Sequence, residues 1–124
     1  LAAKGVKTKF YGDELQRWRR NVNMSPSELK LFIAKYGDEA GLSRSEASKQ
    51  GIKSGRDSAR AILRMKSKHV SEWTDADVAW ARRQNSFVAR MSGAKGPLYD
   101  DKDRPTRKLL ALKIWGHDPE KRVR

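Results

Sequence analysis

Apolar residues recur along the chain at the three-and-four spacing of α-helices, and no run alternates with the period of two that a half-buried strand requires. Leu15, Trp18 and Val22 share one face of a short helix, DELQRWRRNV, whose first residue, Asp13, is placed to cap it. Ser25 and Glu28 form a capping box around Pro26, and Leu29, Phe32, Ile33 and Tyr36 follow as an apolar stripe ended by Gly37. Ser43 and Glu46 spell a second box, opening a stretch to about Lys66 that reads as one long helix or as two broken near Gly51. Thr74 with Asp77 starts another helix reaching about Met91, with Gly93 at its end. Pro105, in a first turn, begins the last helix, PTRKLLALKIW, which Gly116 stops.

These elements predict a small all-α bundle of about five helices, with a long ordered loop before the last. The domain is expected over 13–116, between an N-terminal arm (1–12) and a polar, frayed tail (117–124). A start at Leu1 is expected of a trimmed or processed product.

Charge changes the picture from a generic bundle to one with a preferred kind of partner. The 124 residues carry 28 Lys and Arg against 15 Asp and Glu, a formal net charge of +13. Such a surface attracts polyanions. The excess is patterned: residues 42–70 hold eight basic and two acidic groups, whereas 71–92 hold three of each. The absence of cysteine removes disulfides, thiolate metal sites and cysteine nucleophiles. The longest apolar runs, LFIA and LLAL, are too short to span a bilayer, so no membrane association is expected.

On a continuous helix over 44–68, Lys49, Lys53, Arg56, Arg60, Arg64 and Lys68 cluster on one side. Ala47, Gly51, Gly55, Ala59, Ile62 and Met65 lie opposite, with Ile52 and Leu63. Cations at one-turn spacing suit a phosphate backbone, and equally suit a solvated face diluted by Glu46 and Asp57. A helix-turn-helix can be drawn through Ala47, Gly51 and Ile52. Asp57 and Arg60 then fall where its recognition helix must pack inward. Further along, Arg82, Arg83 and Arg90 interleave with Trp80, Phe87 and Met91, the rings being expected in the core.

The loop MSGAKGPLYDDKDRPTRK, residues 91–108, contains two glycines, two prolines, three aspartates and five basic residues. Its glycines lack the Walker A spacing, and its aspartates lack the order of a calcium loop. It reads first as a rigid connector, held by partly buried Leu98 and Tyr99 and a glycine turn at Gly96. One or more of Asp100, Asp101 and Asp103 should pair with Arg104, Arg107 or Lys108, leaving Lys95 the freest cation. Lys95, Arg107 and Lys108 are its candidate phosphate contacts. His69 and His117 sit apart without an evident nucleophile or ligand partner, so neither an enzymatic role nor a metal or cofactor is expected.

The stretch WARRQNSFVARMSGAKGPLYDDKDRPTRKLLALKIWGHDP resembles a module of small basic proteins from tailed phages and environmental viral sequences. The shared pattern here runs through Arg82, Arg83, Ser86, Phe87, Arg90, Gly93, Lys95, Gly96, Pro97, Asp100, Arg104–Lys108 and Trp115. Relatives often carry glycine where Asp103 stands, so a different turn is expected there. The resemblance implies a viral source and a small helical module, and no activity. Together with the charge, it leads to two expectations. One is a non-enzymatic nucleic-acid-binding protein that contacts mainly phosphate, DNA more than RNA, in the host cytoplasm or virion. The alternative is a virion structural protein meeting packaged DNA or an acidic viral partner.

Overall fold

The computed structural model describes residues 10–37 and 54–121. The chain is all-α, with five helices and no strand among the described residues. They are α1 (Asp13–Asn21), α2 (Pro26–Tyr36), α3 (Gly55–Lys66), α4 (Asp75–Gly93) and α5 (Arg107–Ile114), with a single 3-10 turn, Val70–Glu72, before α4. No helix among the described residues is long and apolar enough to cross a membrane. The second capping box, at Ser43 and Glu46, and the choice between one helix and two around Gly51 lie outside the described residues, as do Lys49 and Lys53.

Two of the expected helix starts form as read. Ser25 and Thr74 each accept the amide of the third helical residue, and Glu28 and Asp77 return the bond to the capping amide. Two others form differently. Gly12, not Asp13, is the N-cap of α1, and Asp13 stands in the first turn, where a carboxylate favours the positive end of the helix. Pro105 does not begin α5. It faces Tyr99 in an antiparallel bridge, and Thr106 caps the helix by accepting the Leu109 amide.

α3 and α4 run antiparallel, since Ser58 meets Gln84 at one end and Arg64 meets Asp77 at the other. α1 packs against α4, and α5 packs against α2, α3 and α4. Trp18 and Trp73 pack edge to face at 4.9 Å in the centre, with Phe10 against Trp73. Phe10 is fully buried and the Tyr11 hydroxyl donates to the Val70 carbonyl, so these two residues of the expected arm pack with the helices. Gln84, also fully buried, accepts from Trp18 Nε1 at 2.7 Å and donates to Ser58 Oγ at 3.1 Å. This bridge fixes three helices in one register, because every polar atom in it has its partner. Gly55 lets the start of α3 approach the end of α5: a β-carbon there would stand 2.6 Å from Ile114.

Within the tail expected to fray, residues 117–121 are pinned; 122–124 lie outside the described residues. His117 Nδ1 donates to the Asn21 carbonyl at 2.7 Å, and the Asn23 side chain exchanges two hydrogen bonds with the backbone of Asp118. Lys121 reaches the Asn23 carbonyl and the Glu28 carboxylate. That lysine, with the Ser25 amide, holds the Glu28 carboxyl down to about 2. Lys66 satisfies the carbonyls of Val22 and Met24 from the other side, and its burial lowers its amine below the usual lysine range.

Candidate nucleic-acid interface

The cations separate into engaged and open groups. Arg64 and Lys68 both bind Asp77, a fully buried carboxylate, at 2.9 and 2.7 Å. Burial alone would raise this carboxyl; the bonds from Lys68, the Thr74 amide and Arg64 outweigh it and bring it to about 2. Arg82 grips Glu14 through two bonds of 3.2 and 3.0 Å, with its guanidinium 5.9 Å from the Phe10 ring centre. Arg56 donates to the carbonyl of Gly37. Three of the arginines read as phosphate contacts therefore join helices, while Arg60 is exposed on α3.

α4 arranges the open group. Val78, Ala81, Gln84, Asn85 and Val88 face inward, leaving Arg83, Ser86, Arg90 and Gly93 on the opposite side, all exposed. Arg83 covers the Trp80 ring at 5.0 Å, and Phe87 stacks on Trp115 at 4.4 Å and 12°. Trp80 and Phe87 are thus half-buried packing residues, as expected, and they brace the arginine-bearing face along one flank. On the other flank, Glu14 and Asn21 of α1 reach Arg82 and Asn85 of α4. Arg17, exposed, stands between them on the same row of α1 and borders the seam.

The loop extends this surface. Lys108 Nζ donates to the Ala94 carbonyl at 2.6 Å, which brings the start of α5 to the end of α4 and sets exposed Lys95 and Arg107 beside it. A cation on the last carbonyls of a helix is favourably placed against its dipole. Beyond, Leu98 and Thr106 join through a backbone bond, as do Asp100 and Arg104. The Asp100 carboxylate accepts the amides of Arg104 and Lys102 and pairs with the Arg104 guanidinium; these bonds, the Arg104 amide foremost, lower it below the usual range. The expected Asp–Arg pairing in the loop thus forms at Asp100 and Arg104. Asp103 adopts φ 58°, the left-handed backbone that glycine favours, so this chain makes a glycine-type turn with aspartate. Leu98 is half-buried as expected, whereas Tyr99 is exposed and its hydroxyl bonds to Glu120 at 2.6 Å.

Of the residues singled out in sequence, Arg83, Arg90, Lys95, Arg107 and Lys108 run from the middle of α4 through the loop to the start of α5. The fold does not bring Arg64 or Lys68 to them. Arg64 sits at the first turn of α4, and Arg90 lies 13 positions beyond Asp77, about 20 Å along the axis. Arg17, Arg19 and Arg20 were missed. All three are exposed, and their signal was a position off the Leu15–Trp18–Val22 face. No group of three or more His, Asp or Glu among the described residues could hold a metal ion.

Fold and surface together define a small, basic, all-α protein with exposed arginines on α1 and on the outer face of α4. The chain belongs to the family described as a domain of unknown function, DUF6321, which matches residues 49–115. That span holds α3, α4, the loop and α5. No curated protein and no solved structure gives a significant match to the chain.

Proposed function

We propose that the chain is a non-enzymatic nucleic-acid-binding protein that holds phosphate backbone along the outer face of α4 and the loop that follows. One observation carries this reading. The acids nearest the main cations are already bound, Asp77 by Arg64 and Lys68, Glu14 by Arg82, and Asp100 by Arg104. Arg83, Arg90, Lys95 and Arg107 are exposed and have no anionic partner among the described residues. A formal net charge of +13 adds long-range attraction for a polyanion. Contacts of this kind position a protein on nucleic acid without reading its sequence.

The test is an equilibrium titration of labelled DNA with the wild type, an Arg83→Ala/Arg90→Ala/Arg107→Ala variant and an Arg60→Ala control. The triple variant should bind at least tenfold more weakly, and the control should bind nearly as the wild type does. Equal affinity for all three would place the contacts elsewhere and reject the assignment.

A further inference from the structure

We infer that the nucleic acid held on α4 is duplex DNA, gripped across its major groove, and not a single strand; this rests on the function proposed above. Proteins that hold single strands present aromatic faces on which successive bases stack. All ten aromatic residues of this chain lie within the described residues, so the census of its rings is complete. Tyr99 alone among them is exposed, and its hydroxyl is bonded to the Glu120 carboxylate, a poor neighbour for a phosphate. Near the arginines, the rings are already occupied: Phe87 stacks on Trp115, and Trp80 lies under Arg83. A single strand would find charge here but no platform.

A duplex needs charge at the right separation and a surface that can come close. Arg83 and Arg90 stand on one face, seven residues and about 10.5 Å apart along the helix axis, against a major-groove width of about 12 Å in B-form DNA. Between them stands Ser86, exposed and short, so no bulky exposed side chain holds the helix off as it lies across the groove with one arginine toward each phosphate row. The narrow major groove of A-form RNA does not offer two phosphate rows at this separation.

The experiment is fluorescence anisotropy with the full chain and four probes at one salt concentration: a 20-base-pair DNA duplex, each of its two strands, and the RNA duplex of the same sequence. The DNA duplex should bind at least tenfold more tightly than either strand or the RNA duplex. Ser86→Trp, which raises a bulky side chain between the arginines, should weaken the DNA duplex at least fivefold and, because it supplies an exposed ring, bind the strands no more weakly than the wild type, with normal thermal melting. Strands bound as tightly as the duplex would overturn the inference while leaving nucleic-acid binding intact. Equal affinity for RNA and DNA duplexes, or indifference of the duplex to Ser86→Trp, would overturn the groove-spanning arrangement. Failure of all four probes to bind would overturn this inference and the function beneath it together.

Discussion

Asp77 holds Arg64 at 2.9 Å and Lys68 at 2.7 Å while also receiving the Thr74 amide, so one buried carboxylate both caps α4 and ties it to α3. Removing it leaves two cations short of an anion and breaks the reciprocal cap. Asp77→Ala should destabilise the fold by about 2–4 kcal/mol, measured by urea or thermal unfolding. The linkage has a definite sign. The folded carboxyl sits at about 2, below its ordinary 3.8, so its contribution is complete above about pH 4 and is lost as pH falls toward 2. The wild type should therefore lose stability through that window, and Asp77→Asn should lose less over the same range. Parallel pH profiles for the two proteins would reject this role.

The tail after α5 provides a second check. Asn23 makes two hydrogen bonds to the Asp118 backbone, and Lys121 bonds to Glu28. Asn23→Ala should free residues 117–121, with fast hydrogen exchange at the Asp118 amide and a loss of about 1–2 kcal/mol in global stability. Protection of that amide unchanged in the variant would mean that the clasp does not depend on Asn23.

In the loop, shape and charge should separate. Gly96 has φ 126°, and a side chain there is strained although nothing crowds its β-carbon. Gly96→Val should lower the melting temperature by several degrees, corresponding to about 1–2 kcal/mol of backbone strain. Asp103→Gly, relieving a left-handed aspartate, should leave the melting temperature equal or higher. Lys95→Ala should leave stability alone and weaken DNA binding modestly, by about one unit of salt slope. A Gly96→Val protein that melts normally yet no longer binds would instead identify the loop as an anion cradle.

What could be read from the sequence was local. Ser25 with Glu28, and Thr74 with Asp77, are three residues apart and sit next to the backbone groups they satisfy, so spacing alone reveals them. The start of α5 was misread because Pro105 suits a first turn, yet here it suits a bridge position that needs no amide from it. Arg64 and Arg82 looked like open cations because their partners, Asp77 and Glu14, are 13 and 68 positions away. Helical periodicity tells which face a side chain takes, but only the packing of α1 and α3 against α4 tells which charges are already neutralised. The arginine-bearing face of α4 was legible as a cluster of residues; its continuation through Lys95, Arg107 and the missed Arg17 required the fold.

The most direct test of backbone binding is the salt dependence of affinity for a DNA duplex. With Arg17, Arg83, Arg90, Lys95 and Arg107 each neutralising one phosphate, log K should fall against log salt with a slope of about −4.5. Arg83→Ala/Arg90→Ala should bring that slope to about −2.7. A slope near zero, or one the double variant leaves unchanged, would contradict the account.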